Sequence, residues 1–330
     1  MAGWYSRPMV SEGGGMNKRA TWIFSGVVML AGACDADEPE VGFEDAGEAV
    51  ELRMAQDNGM LLNGLLLNGL LLNGDGNPAE YVRATEFKFD AAVAQEVWLV
   101  GSELHVKTAS GEIKSGAEMT KLRVKFDVNE GGKLKKKVVK ISQAQRLAPG
   151  SDIWVYDLDL KVGSGEWTPL CLDGAGQRTQ AILIGDTWNP ATGDRRPPNT
   201  NAMTYACRGA ALAKCIEWGY KPWSAADGVS LQDFHQSCTR MVRADYCGDG
   251  VPHTVNGTKI HVLDERGVQA ADPNVTYAVE AEWGPDGAVC LNSANTRLSD
   301  QSIECQIPAC GTTSFSSGGI IQSGKITSGL

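Results

Sequence analysis

The residues that invite chemistry crowd into one stretch, Cys238 to His261, reading CTRMVRADYCGDGVPHTVNGTKIH. It carries Cys238, Cys247, Asp245, Asp249, His253 and His261, with turn glycines at Gly248, Gly250 and Gly257. Three reactive arrangements can be drawn. Cys247 with His253, oriented by Asp249 or Asp245, has the makings of a thiol nucleophile and its base, provided the thiol is free to ionise. Asp245, Asp249, His253 and His261 offer the imidazole and carboxylate ligands that suit a divalent cation. Downstream, Glu280 and Glu282 fall on one side of a strand pattern, with Asp286 nearby, and paired carboxylates can act as acid and base on a glycosidic bond.

Each arrangement has a plainer reading, and the plainer one is preferred. A cysteine among many in an exported chain is bridged more often than reactive. Asp and Gly between polar residues make turns. Carboxylates on a strand are commonly just solvated. Tyr246 and Trp283, with Trp218 and Trp223, offer a binding face, yet aromatics also fill small disulfide-rich cores. We therefore expect no cofactor, leave the catalytic residues unassigned, and keep a hydrolase or metal-dependent enzyme centred on the Asp245–His261 loop as the alternative.

The chain has nine cysteines. Eight of them, Cys171, Cys207, Cys215, Cys238, Cys247, Cys290, Cys305 and Cys310, lie in its second half and have the look of a disulfide framework. Paired Cys-x-x-Cys knuckles are absent, which argues against a zinc cage. If residues 202–218 form one helix, Cys207 and Cys215 stand about 12 Å apart along its axis, beyond the roughly 7 Å a disulfide tolerates. They should reach other elements, with Cys238 and Cys247 as natural partners, so that two helices are stapled together. A Cys305–Cys310 pair is permitted but not required.

The elements that must position these residues are mostly strands. Short apolar or alternating runs fall at 97–100, 103–106, 122–126, 138–141, 153–156 and 181–184, and again at 260–263, 276–281 and 288–291, with Gly, Asn, Asp and Pro between them. Asn129 to Gly132 has the composition of a hairpin turn, and Lys133 to Lys137 would then guard an edge strand. Two helices are expected between the β runs. One spans about 202–218 and stops at Gly219. The other spans 231–244, with Ser230 and Asp233 spaced much like a capping box. The fold class is α+β: a mainly antiparallel β domain with a late helical pair, stapled by disulfides.

The first 80 residues are of another kind. Met16 to Cys34 has a basic start, an apolar middle and small residues before a cysteine, the layout of a signal peptide over residues 1–33. Residues 1–15 fit no part of it and suggest a start assigned too early. The ending Leu30-Ala-Gly-Ala-Cys34 resembles the lipobox of bacterial lipoproteins, which implies cleavage before Cys34 and its lipidation. An ordinary signal peptide is the other reading. Residues 34–58 form an acidic tether, with nine acidic residues and one basic residue between Asp35 and Asp57. Residues 59–74 repeat Gly-(Leu/Met)-Leu-Leu-Asn with a period of five. Three copies cannot complete a coil of their own, so the segment should pack on the domain or bind a partner or the lipid surface. Asn73 to Asn77 is better taken as a turn than as a calcium loop, because the far-end Glu is missing. The domain proper should run from 80 to 311, followed by a flexible Ser/Gly-rich tail at 312–330.

Within that domain, Ala244-Asp-Tyr-Cys247, Gly248-Asp-Gly250 and His253-Thr254 resemble the signature of the ADYC domain family. Trp218 to Trp223 (WGYKPW) and Trp283 to Cys290 (WGPDGAVC) are similar to it as well, and the likeness runs from about Trp98 to Cys310. The resemblance implies an exported bacterial protein and brings no mechanism. The formal charge of -10 argues against nucleic acid, and no apolar run reaches the roughly 18–20 residues of a membrane span. The expectation is a lipoprotein of the cell envelope, periplasmic or at the surface with the outer membrane favoured. It would meet the membrane through its lipid and take an envelope protein or a glycan as partner, in a non-enzymatic binding or structural role.

Overall fold

The computed structural model describes residues 82–328, apart from residues 90–91, 131–132, 163, 174, 190, 197–202, 256–257 and 298–301. The leader, Cys34, the tether, the five-residue repeat and the Asn73–Asn77 turn lie outside the described residues.

The expected strands all form. The first sheet contains β1 (Val82–Phe89), β2 (Ala92–Val100), β3 (Glu103–Thr108), β4 (Ile113–Ser115), β5 (Arg123–Glu130), β6 (Lys133–Arg146), β7 (Trp154–Val162), β8 (Thr168–Pro169), β9 (Ala181–Ile184) and β10 (Thr204–Cys207). Their order is β10-β9-β7-β6-β5-β1-β2-β3-β4, with β8 beside β7, and every pairing is antiparallel. Side-chain alternation sets the register: on β3, Leu104, Val106 and Thr108 are buried while Glu103, His105 and Lys107 are half-exposed. The pairing of Glu130 with Lys133 closes the expected hairpin. The lysine run does not guard an edge strand, because β6 lies inside the sheet between β5 and β7. Its pairing with β7 starts only at Lys137, however. Among the described residues, Lys133 to Lys136 are therefore paired on the β5 side alone.

Two further elements correct the sequence reading. Residues 202–218 do not form one helix. Thr204–Cys207 is β10, and only Ala211–Glu217 is helical (α1), ending where Gly219 takes φ +100. The four residues of β10 and the four of β9 are all buried, because cluster residues such as Leu183 and Tyr205 fill one face and Ile182, Ile184 and Ala206 pack with α1 on the other. A strand covered on both faces shows no alternation and looks like helix core. Cys207 and Cys215 do not bond each other, and the helix-length argument is not the reason: Cys207, on β10, bonds Cys171, and Cys215, on α1, bonds Cys238.

After the short pair β11 (Ala225–Ala226) and β12 (Val229–Ser230) comes α2 (Gln232–Arg243), close to its expected bounds. Ser230 Oγ accepts the Gln232 N–H at 3.2 Å, while Asp233 pairs with Arg195 instead of closing a capping box. The second sheet holds β13 (Ile260–Asp264), β14 (Thr276–Gly284), β15 (Gly287–Leu291) and β16 (Ile321–Ser328), in the order β13-β16-β14-β15. The Ser/Gly-rich segment is thus no free tail over Ile321–Ser328. It is an inner strand, paired on both sides. Its small residues are what the packing needs, since a Cβ on Gly324 would stand 2.3 Å from the Tyr277 ring.

Four disulfides link Cys171 to Cys207, Cys215 to Cys238, Cys247 to Cys305 and Cys290 to Cys310. The second staples α1 to α2 as expected, but Cys207 pairs back to Cys171 and Cys247 forward to Cys305, so neither joins the helical pair, and Cys305 and Cys310 do not pair with each other. The result is a mainly antiparallel α+β domain with a helical pair, stapled by disulfides.

Ile321 is fully buried among the second-sheet core. We expect Ile321→Ala to cost about 2–5 kcal/mol, read as a loss of denaturant midpoint; a change near zero would mean that β16 is dispensable. His235 on α2 is fully buried, its Nε2 lies 3.0 Å from the Leu212 carbonyl of α1, and burial holds its pKa down at about 4 against an ordinary 6.5, with Arg195 adding to the effect. The unfolded chain therefore takes a proton before the folded one does. Stability from this group is complete above pH 6.5 and falls as pH drops towards 4, by on the order of 3 kcal/mol. The His235→Gln variant should lack that part of the pH dependence in equilibrium unfolding.

Candidate functional site

The signature stretch begins where α2 ends. Arg240 and Arg243 lie one turn apart near its C-terminus, and both are buried. Ala244 takes the left-handed conformation, φ 51, and its N–H caps the helix on the Arg240 and Met241 carbonyls. That turn aims Asp245 back at its own helix. Asp245 Oδ2 accepts from Arg240 Nη1 at 2.7 Å, and both its carboxylate oxygens receive the Gly250 N–H at 3.1 Å. Arg240 spends its other donors on the Pro285 and Thr192 carbonyls and on Asp194. Arg243 Nη2 donates to the Gly250 carbonyl. The buried Arg240–Asp245 pair thus gathers its surroundings: Arg240 holds the 192–194 loop and the 285 turn, and Asp245 holds the loop that follows it.

Burial pushes the Asp245 carboxyl up, against the pull of Arg240, Arg243 and the Gly250 N–H; the same burial pushes Arg243 down. A buried pair of this kind adds little net stability, but it punishes the loss of either partner.

The following residues are spent in the same way. Tyr246 stacks on Trp283 with ring centroids 5.3 Å apart and donates to Glu280 Oε1 at 2.6 Å. Burial, with the Glu280 charge, drives its phenol far above the ordinary value. Cys247 is bonded to Cys305 and so offers no thiol. Gly248 has φ +69, and a Cβ there would stand 1.8 Å from the Asp286 carbonyl, so the β14–β15 turn can approach only a glycine. Asp249 closes a tight turn on the Val251 N–H at 2.9 Å.

The ligands of the alternative metal reading, Asp245, Asp249, His253 and His261, are not brought together. His253 Nδ1 lies 3.2 and 3.1 Å from the Ala244 and Val251 carbonyls, which assigns it the proton. His261 stacks on Tyr277 at 4.0 Å, and its Nε2 accepts the Asp272 N–H at 3.1 Å, so the lone pair a metal would need is in use. Thr254 is buried beside the loop. Among the described residues no group of three or more His, Cys, Asp or Glu side chains is placed to hold a metal ion.

The carboxylate pair also turns inward. Glu280 receives Arg297 at 3.0 Å and Ser323 at 2.7 Å, and Glu282 receives the Phe315 and Ser317 N–H groups at 2.6 and 3.2 Å. Both are buried, where the sequence suggested solvated strand positions. Asp286 contributes its carbonyl to the Gly248 contact. Of the four aromatics, Tyr246 and Trp283 are core, Trp218 is half-buried with its carbonyl accepting from Gln269, and Trp223 alone borders a cleft. Sequence reasoning missed Arg240, Arg243 and Arg297. The available signal was charge at positions 240 and 243, one helical turn apart and flanking Met241 and Val242, on a helix that buries nearly all its residues.

These features define a disulfide-stapled β domain whose signature loop is a buried polar knot. The model of the ADYC domain matches residues 99–297, and the chain belongs to that family. No curated protein and no solved structure matches it.

The knot makes a sharp forecast. Asp245→Asn keeps the shape but removes the charge between two buried guanidiniums, and should cost about 3–5 kcal/mol. Asp249→Asn, in an exposed turn, should stay within about 0.5 kcal/mol. Thermal unfolding of the two variants side by side checks the contrast, and equal midpoints would mean that Asp245 is not the hub.

Proposed function

We propose that this protein is an exported, lipid-anchored module that binds at the cell envelope and turns nothing over. The observation that carries this reading is the fate of the signature residues: Asp245, Tyr246, Cys247, Glu280 and Glu282 each satisfy a partner inside the fold. Four disulfides fit an oxidising compartment. Attachment is by the lipid on Cys34, a reading supported by the lipobox-like ending Leu30-Ala-Gly-Ala-Cys34. The acidic tether after it holds the domain away from the bilayer by like-charge repulsion. The outer membrane is the favoured site, and the partner is an envelope protein or glycan.

Alkylation before and after reduction, read by intact mass on protein exported from the full gene, tests both halves. We expect no thiol to react before reduction and eight to react after it, on a chain whose Cys34 carries lipid. Labelled fatty acid should be incorporated, and Cys34→Ser should abolish the label. A Cys247 that alkylates without reduction would restore the enzyme reading, and an unlabelled chain would remove the anchor.

A further inference from the structure

At the seam between the first sheet and the helical pair lies a cleft of about 220 Å³. Four chain segments build it: Leu99 and Gly101 at the β2–β3 turn, Gly185 and Asp186 just past β9, Pro222 and Trp223 after α1, and Gln232 at the start of α2. None of these side chains belongs to the signature knot. We infer that this cleft is a saccharide subsite that seats one neutral sugar ring against Trp223, with Asp186 and Gln232 addressing its hydroxyls. The inference rests on the reading of the chain as an envelope binding module and names the chemistry of its ligand.

The indole is fixed rather than floppy. Its Nε1 donates to Asp152 at 3.4 Å, and Asp152 is itself held by Lys221 at 2.7 Å. Gly101 lies close beside the ring, where a Cβ would come within 3.1 Å of it. An anchored aromatic gives a flat apolar wall at low entropic cost. Leu99 and Pro222 extend that wall.

The polar side is equally set. Gln232 Nε2 donates to the Asp186 carboxylate at 3.1 Å, and Arg195 Nη1 stands 3.9 Å from it. Arg195 is shared with Asp233, 3.5 Å from its Nη2, so the rim keeps a negative character that turns anions away and favours hydrogen-bond donors. What remains are acceptor positions on Asp186 and the Gln232 carbonyl, which suit hydroxyl donors. The volume falls below the roughly 300–1,000 Å³ typical of drug-sized sites, which limits the occupant to a single small ring. A ring with one C–H face and a rim of hydroxyls matches this wall and rim together.

Gly185 supplies a clean test. A Cβ there meets nothing within 4 Å, and its φ is outside the left-handed range, so a side chain would stand in open space at the cleft without straining the backbone. The full chain, exported and oxidised, would be titrated with D-glucose, with N-acetyl-D-glucosamine and with the β-1,4-linked trimer of the latter, using saturation-transfer NMR and calorimetry. We expect at least one sugar to bind, and at least tenfold weakening in Gly185→Leu at an unchanged unfolding midpoint. Trp223→Ala should weaken binding as much, and Asp186→Asn less. No binding by any of the three probes overturns the saccharide site while leaving the anchored module standing. Binding that Gly185→Leu leaves intact overturns it too, as does a preference for the tripeptide Gly-Leu-Phe over all three sugars. Cleavage of the trimer, blocked by Gly185→Leu, supports the site but sinks the non-enzymatic reading.

Discussion

The buried Arg240–Asp245 pair is the constraint on which the second half of this molecule depends. Two opposite charges inside a protein are costly to desolvate, so the arrangement persists only where geometry satisfies every donor and acceptor around them. Here that requirement recruits backbone from three places, Thr192, Pro285 and Gly250, around the end of α2. The α2 C-terminus, the β14–β15 turn and the loop after β9 cannot move independently while the pair is intact. Its contribution is therefore specificity of arrangement more than raw stability.

A second polar layer sits behind the first. Glu280 and Glu282 bury their carboxylates against Arg297, Ser323, Gln322 and backbone amides of the 315–317 turn. Tyr246 joins the two layers, stacked on Trp283 and bonded to Glu280. The four signature letters thus occupy consecutive roles: a left-handed cap, a buried counter-ion, an aromatic bridge and a covalent tie. A core this polar explains why the domain needs crosslinks. The apolar area of the second sheet is interrupted by groups that must be paired before they stabilise anything.

Strand positions with alternating or continuous apolar residues were legible from the sequence, since each element is marked by the face it buries. So were the α1–α2 staple and the identity of the loop that matters. Four things were hidden. Thr204 to Cys207 passed for helix because both its faces are covered. Ile321 to Ser328 passed for a loose tail because its composition is that of disordered chain, yet its neighbours, the Tyr277 ring against Gly324 and Glu280 bonded to Ser323, require small and polar residues. Glu280 and Glu282 passed for solvated carboxylates because their partners come from distant segments with no local mark in the sequence. The bridging of Cys247 was expected, but the role of Asp245 was hidden for the same reason as the glutamates: a residue type announces what it can do, and only tertiary contacts reveal that the capacity is already spent.

The connectivity of the disulfides has a consequence for how the chain matures. The first two links are sequential, Cys171 with Cys207 and Cys215 with Cys238, whereas Cys247–Cys305 and Cys290–Cys310 cross one another. An oxidant that joins cysteines in the order they emerge, N-terminus first, makes the first two links correctly. It then joins Cys247 to Cys290, which is not a native pair. Reaching the native state requires thiol–disulfide exchange after Cys305 and Cys310 have appeared, and β16, which completes the second sheet, emerges later still. On such a sequential path the two halves of the domain place different demands on the compartment that receives them: oxidation alone suffices for the first two links, while the crossed pair also needs thiol–disulfide exchange.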